Sequence, residues 1–378
     1  MADTDERAKG ATVVTEQAES ATAVAAQKRS PRDTLVDGLV SLLQFREVSI
    51  VVVAIVIAIL FQAINRAFLT TEVPVLLSTA AQYGLIAIGE TMLMITGEID
   101  LSAAKIYSTT PFIAYYLTLI NVPFVVALIL ALAGAAVIGM VNGLITVRFG
   151  LPSLITTLGM LFFLDGVTLT VTHSEPVTTP VEQPVNTFLG QGQQAPIGGA
   201  ATYAGFIWLV LCVLILTLVL YRTRFGMHTI AVGSNLLAAR EIGIRTERTK
   251  VMNFMIMGVV AGLAGIIQAV ATGSTDPSAG DPVLSLYGIA ATVMGGTSLF
   301  GGSGTVIGAL VGAFVISSLN NGLPLIGAQA TMSFIIVGLA IVLAMILNVK
   351  VGSLRGRRLS GLRGTRAQAV PSAVRGKR

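Results

Sequence analysis

Four ionisable side chains, Glu90, Glu98, Asp100 and Lys105, lie in or beside apolar runs between residues 90 and 105. Ionisable groups at membrane depth are expensive and usually face a bundle interior or a water-filled path. Glu90 sits well inside an apolar run and reads as a buried or pathway-facing carboxylate, with Lys105 as its partner. The stretch Thr96-Gly-Glu-Ile-Asp-Leu-Ser102 reads as a break between helices, flexible at Gly97. Asp100 or Ser102 there would cap the following helix, and Asp100 is equally suited to contact a solute. Such carboxylates would also serve proton or cation coupling, so they do not choose a mechanism. Asn142, Asn320 and Asn321 fall near span ends. Asn142 reads as a bond to a neighbouring helix, while Asn320 and Asn321 fit either that role or a polar path for a hydroxylated solute.

Other chemistry is excluded. Cys212 is the single cysteine, so this chain alone forms no disulfide or thiolate metal site. The two histidines, His173 and His228, are far apart in sequence, and no metal-ligand set is expected. Gly301-Gly-Ser-Gly304 resembles a phosphate loop in composition, but no G-x-x-x-x-G-K-[ST] occurs. There is no G-x-S-x-G elbow either. No catalytic residue and no directly bound cofactor is expected.

The elements that would position these residues are membrane helices. The 378 residues are 54% hydrophobic and only 11% charged, against about 25% charged in soluble domains. Apolar stretches of about 17–25 residues span a bilayer as helices. Candidates are Val48–Ala67, Val73–Thr96, Leu101–Ile120, Pro123–Val147, Pro152–Thr172, Tyr203–Tyr221, Val251–Ala271, Leu284–Leu299, Thr305–Asn320 and Thr331–Asn348. The expected fold is an all-α polytopic bundle of about ten transmembrane helices. No Lys or Arg occurs from Phe149 to Tyr221 or from Val251 to Val349, whereas Arg222, Arg224, Arg240, Arg245, Arg248 and Lys250 form a basic island. Cytoplasmic loops keep their basic residues, so the island and both termini are expected in the cytoplasm. Residues 172–202 and Asp276 and Asp281 then lie outside. Arg66, at the outer end of the first span, is the exception.

Three regions follow. Residues 1–42 read as a polar, disordered cytoplasmic extension without the basic-then-apolar start of a signal peptide. Residues 43–349 form the membrane domain, with the cytoplasmic loop 222–250, and residues 350–378 form a basic cytoplasmic tail. The net charge of +5 is explained by the island and this tail rather than by nucleic-acid binding. Gly304, Gly308 and Gly312 recur every fourth residue, as do Gly258 and Gly262, a spacing that lets helices approach closely.

Inside the island the pattern predicts a short helix. Ser234 or Asn235 supplies the N-cap, Gly243 the stop, and Leu236 through Glu241 the helix formers. Leu237, Arg240, Glu241 and Ile244 share one face, while Ala238 and Ala239 leave a shallow surface. These residues alone fit a ball for a partner's socket and an interfacial helix on lipid headgroups equally well.

Three stretches carry a resemblance. Gly89-Glu-Thr-Met-Leu-Met-Ile-Thr-Gly-Glu-Ile-Asp-Leu-Ser102 is similar to the T-G-G-I-D-L-S segment of the ribose-permease-like subunits of bacterial ABC importers. Ala231-Val-Gly-Ser-Asn through Ala-Ala-Arg-Glu-Ile-Gly-Ile244 resembles their G-x-N-x-x-A-A-x-x-S-G-I loop. Val293 through Leu310, continuing to Asn320-Asn-Gly-Leu, resembles their glycine-rich signature. The resemblance covers about Leu43–Asn348. It implies a monosaccharide or polyol permease of the bacterial inner membrane, working by alternating access. A second permease copy, a cytoplasmic ATPase that uses ATP and magnesium, and an extracytoplasmic sugar-binding protein would be its partners. The helix in Ser234–Ile244 would then couple to the ATPase. Permeases for nucleosides or branched-chain amino acids, and less directly a proton-coupled secondary transporter, are the competing readings. The chain departs from the family with Glu98 in place of Gly, Asp165 in place of Arg, and Leu284–Ala291 without carboxylates.

Overall fold

The computed structural model describes residues 46–70, 72–179, 185–189, 204–329, 331–332, 334–343 and 346. The expected extension 1–42 and basic tail 350–378 lie outside them. The described residues are mostly helical, and their one sheet is a two-stranded ribbon of two residues a side. In order the elements are α1 (Arg46–Ile64), α2 (Val73–Ile95), α3 (Ala103–Leu119), α4 (Phe124–Phe149), α5 (Ser153–Val171), β1 (Val177–Thr178) and α6 (Val185–Leu189). Then come α7 (Ala204–Arg222), α8 (Arg224–Ser234), α9 (Leu236–Glu241), α10 (Thr246–Thr272), β2 (Ser274–Thr275), α11 (Pro282–Met294) and α12 (Val306–Leu325). A further apolar helix, α13, covers Phe334–Leu343.

Six of these, α2, α4, α5, α7, α10 and α12, are long and apolar enough to cross a bilayer, while α1, α11 and α13 are shorter apolar helices. The expected bounds moved where local chemistry overrules hydropathy. Val251–Ala271 is expected from its apolar run, yet α10 starts five residues earlier, at Thr246 inside the basic island. It stops at Gly273, whose φ of 70° suits a left-handed cap. Leu284–Leu299 shortens to α11, capped by Asp281 with Pro282 in the first turn and ended by Gly295 and Gly296, the latter at φ 92°. At about 1.5 Å per residue, α11 is about 20 Å long, less than the hydrocarbon core of about 30 Å.

Helices α2, α10 and α12 are mostly buried, whereas α4, α5 and α7 expose most of their surfaces. From Gly84 to Ile95 every residue of α2 is buried. A helix apolar on all sides belongs inside a bundle. Glycines make the inner contacts close. Gly139 lies against the backbone of Phe254 and Met255, Gly143 against Val251, Gly258 against the Ala135 carbonyl, and Gly265 against the Tyr107 carbonyl. Gly308 and Gly312 meet Gly295 and Ala291 in the same way. Gly304 does not belong to that helical row, because α12 begins two residues later behind the Thr305 cap.

At the other end of α10, β1 and β2 pair antiparallel, Val177 with Thr275 and Thr178 with Ser274. Thr179 donates to the Ala269 carbonyl at 3.0 Å. Part of the Pro- and Thr-rich connector after α5 is therefore tied to α10. The short α6 follows, and the Phe188 ring meets Trp208 of α7 edge-on at 5.3 Å.

Replacing Gly258 by Leu should lower stability in detergent by about 1–3 kcal/mol or more through overpacking. Gly166→Ala on α5, where no heavy atom lies within 4 Å of the added carbon, should leave the melting temperature unchanged or slightly raised. Thermal unfolding monitored by intrinsic fluorescence checks both.

Candidate functional site

Between α2 and α3 the chain runs without helix through Thr96–Ser102, which buries Thr96, Glu98, Asp100 and Ser102. A non-helical segment at such depth must find other partners for its N–H groups. Here side chains from three helices supply them. The Ile99 N–H donates to Ser153 Oγ at 3.1 Å, and the Leu101 N–H to Thr157 Oγ1 at 3.1 Å, both on α5. The Asp100 N–H donates to Glu90 Oε1 at 3.2 Å, on α2. The Ser102 N–H is taken by Asp100 Oδ1 at 2.8 Å, and the Ala104 N–H by Ser285 Oγ of α11 at 2.9 Å. Gly97, at φ 85°, makes the reversal that lets α2 end and the chain turn inward.

Four side chains form the polar centre of this break. Glu90, Asp100 and Ser102 are fully buried, as is Asn142 of α4. Ser102 Oγ donates to Asp100 Oδ1 at 2.6 Å, and Asn142 Nδ2 donates to Ser102 Oγ at 2.8 Å. Asn142 Nδ2 also lies 3.4 Å from Asp100 Oδ2. Among the described residues, Asn142 Oδ1 has no hydrogen-bond partner.

The charges pair otherwise than expected. Lys105 reaches Asp165 of α5 at 2.6 Å, not Glu90, because it leaves α3 on the α5 side. Glu90 instead serves a backbone donor. Glu98 forms an ion pair with Lys250, four residues inside α10. Asp100 does accept from Ser102, but the residue that caps α3 is Ser102, with no side-chain cap bond of its own. Asn142 holds side chains of the break rather than a helix carbonyl.

The basic island folds around this centre. Thr223 caps α8 through the Gly226 N–H. Asn235, not Ser234, caps α9, accepting from the Ala238 N–H at 3.0 Å. Ser234 ends α8 and donates to the Ile230 carbonyl. The helix α9 stops before Gly243, whose φ is 84°. Arg240 Nε donates to Thr246 Oγ1 at 3.1 Å, tying α9 to the start of α10. Leu237 is 70% exposed, and Arg240, Glu241 and Ala238 are exposed with it. Ala239 differs from expectation: it is 2% exposed, because it faces the protein side of so short a helix. The outer surface of α9 thus belongs to Leu237, Ala238, Arg240 and Glu241.

The turn before α9 is held to the end of α2. The Gly302 N–H donates to the Ile95 carbonyl at 2.8 Å, and Gly233 packs against both groups so closely that a Cβ would overlap them. Tyr221 Oη donates to the Gly304 carbonyl at 3.1 Å. Gly301 and Gly302, at φ 84° and 77°, shape the loop that makes this approach.

A second polar cluster went unnoticed in the sequence. Gln82 of α2 donates through Nε2 to Gln268 Oε1 of α10, and Tyr107 Oη of α3 donates to Gln82 Oε1 at 3.3 Å. A cavity of about 290 Å³ adjoins it, with Tyr107, Ser108, Gln268, Thr272 and Asp276 in its wall. Asn320 Nδ2 donates to Tyr83 Oη at 3.1 Å, whereas Asn321 bonds the Ser317 carbonyl of its own helix. The signal was present as two glutamines inside apolar runs. Among the described residues, no group of His, Cys, Asp and Glu is arranged to hold a metal ion.

Removing the Glu90 acceptor should be costly. Glu90→Ala leaves the Asp100 N–H buried without a partner, a loss of about 1–3 kcal/mol. Glu90→Gln keeps a carbonyl acceptor there and should lose less than half as much. Melting temperatures of the purified variants, compared at equal detergent, decide this.

A model of the branched-chain amino acid transport system / permease component family matches residues 74–345. The xylose/arabinose import permease protein of Sulfolobus acidocaldarius is 38% identical over 317 residues, covering 80% of this chain and 84% of that protein. The ribose import permease protein of Escherichia coli is 33% identical over 303 residues, covering 80% and 93%. An autoinducer 2 import system permease protein of Photorhabdus luminescens is 30% identical over 302 residues, covering 80% and 89%. No solved structure matches. The bundle of membrane-crossing helices, its polar break and the matched span agree: the chain is a multi-pass membrane protein of the branched-chain amino acid transport system / permease component family.

Proposed function

We propose that this chain is the membrane subunit of an ATP-driven importer for a monosaccharide or related polyol, in the inner membrane of its cell. Relatives that carry pentoses, and one that carries autoinducer 2, support a polyhydroxylated solute over a nucleoside or an amino acid. Counting α1, α3, α11 and α13 with the six long helices would give ten crossings, an even number in keeping with both termini on the cytoplasmic side that the charge of the island favours. The permease performs no covalent chemistry. ATP and magnesium are used by a partner ATPase, an extracytoplasmic binding protein delivers the solute, and a second permease copy completes the pathway.

Support for ATP coupling comes chiefly from α9. Its outer face presents Leu237 at the basic end of the bundle, Arg240 ties it to the start of α10, and Ser234 at the end of the preceding α8 bonds the loop after α11. A partner pressing on α9 would move the starts of α10 and, through Lys250 and Glu98, the polar break. The break and the Gln82–Gln268 cluster supply hydrogen-bonding groups along the interior for a hydroxylated solute. Asp100, Lys105 and Asn320 fall along the same interior, and the glycines of α10 and α12 allow the helices to shift.

In vesicles containing the permease, its ATPase and the binding protein, Leu237→Asp should lower solute uptake by about tenfold or more, as loss of an apolar anchor commonly costs ~2 kcal/mol. ATP hydrolysis should persist. Uptake by the permease alone that needs no ATPase and collapses on adding a protonophore would sink this reading. Exchanging the ion pair, Glu98→Lys with Lys250→Glu, should recover uptake lost in either single variant, because the pair is compact and the partners are flexible. No recovery would remove the pair from the coupling path.

A further inference from the structure

A groove of about 930 Å³ opens on the flank of the bundle between α4, α7 and α10. Its walls are apolar, with Leu144, Val147, Ile215, Met255 and Ile256 among them. At one end it reaches Glu247 and Arg248. There it meets a recess of about 380 Å³ lined by His228, Arg245, Arg248 and Thr249 together with Phe225, Gly243 and Met252. Arg248 and Met252 line both, so the apolar groove and the cationic recess adjoin across these two side chains.

We propose that this composite site binds an anionic phospholipid of the surrounding bilayer, an acyl chain in the groove and the phosphate headgroup in the recess. The lengths agree. From Arg248 to Leu263 the α10 wall is about 22 Å long at about 1.5 Å per residue, enough for one leaflet's half of a core about 30 Å thick. The charges agree as well. Arg245 and Arg248 are exposed and form no ion pair among the described residues. Glu247 lies on the groove side of the rim and the recess itself holds no carboxylate among its lining residues. The first turn of α10, which Arg245 leaves without a side-chain cap, adds free N–H groups beside the recess. Basic pockets between membrane helices commonly hold such headgroups.

The same charges argue against other occupants. The chain's own tail, Lys350 to Arg378, is strongly basic and would be repelled. A second copy related by a two-fold axis through this face would bring Arg245 and Arg248 against their equivalents. The site adjoins Gly243, the residue that ends α9, so the headgroup would press on the segment that carries the exposed Leu237. The inference needs only that the chain lies in a bilayer, and it stands whether or not the solute is a sugar.

The test uses the purified full chain, delipidated in detergent and titrated with phosphatidylglycerol or phosphatidylcholine of identical acyl chains. Native mass spectrometry counts retained lipid, and thermal unfolding measures its effect. Phosphatidylglycerol should bind and stabilise with an affinity at least about tenfold above phosphatidylcholine. Arg245→Gln with Arg248→Gln should abolish that preference, and Ala136→Phe, which fills the groove while keeping the charges, should weaken phosphatidylglycerol. Equal binding of the two lipids, or a preference that survives the double substitution, would overturn the proposal. So would an equal effect from inorganic phosphate alone, or a cysteine crosslink showing a second copy seated in the groove.

Discussion

A backbone that leaves the helix inside a bilayer protein has no water to turn to. Thr96–Ser102 meets that constraint by taking oxygens from side chains. Successive N–H groups from Ile99 to Ser102 are received by Ser153, Glu90, Thr157 and Asp100. This dependence fixes the relative positions of α2, α4, α5 and α11, since each must bring its own oxygen or amide to the same short stretch. It also explains why a carboxylate sits within the most completely buried part of α2. Glu90 serves there as the acceptor for the buried Asp100 N–H, which has no other partner among the described residues.

Much of this architecture was legible in the sequence, and the reasons are local. Apolar run lengths located the helices, Gly97 marked the break, and the Asn235 to Gly243 spacing outlined α9. The ends were less legible, because hydropathy does not register caps: Thr246 begins α10 in a charged segment, and Gly295–Gly296 cut α11 short. Gly304 kept the four-residue spacing of Gly308 and Gly312 but lies before the helix starts.

The pairings were not legible, for a different reason. Glu98 with Lys250 and Lys105 with Asp165 join residues on separate helices, and charge proximity in sequence suggested Glu90 with Lys105 instead. The departures from the family pattern at Glu98 and Asp165 are the two carboxylates that these lysines meet. Their basic partners gave no sign of this in isolation. Ala239 shows the same limit at short range. A six-residue helix has one inner side, and only the packed structure tells which alanine occupies it.

The helix α10 is fastened at both ends, by Lys250 to the polar break and, beyond its other terminus, by the ribbon of Ser274 and Thr275. Between these ends Gly258, Gly262 and Gly265 offer smooth contact with α3 and α4. Sliding along its length would tear one fastening or the other. Bowing between the ends keeps both. The bundle is therefore built around something closer to a bow strung at both tips than a piston.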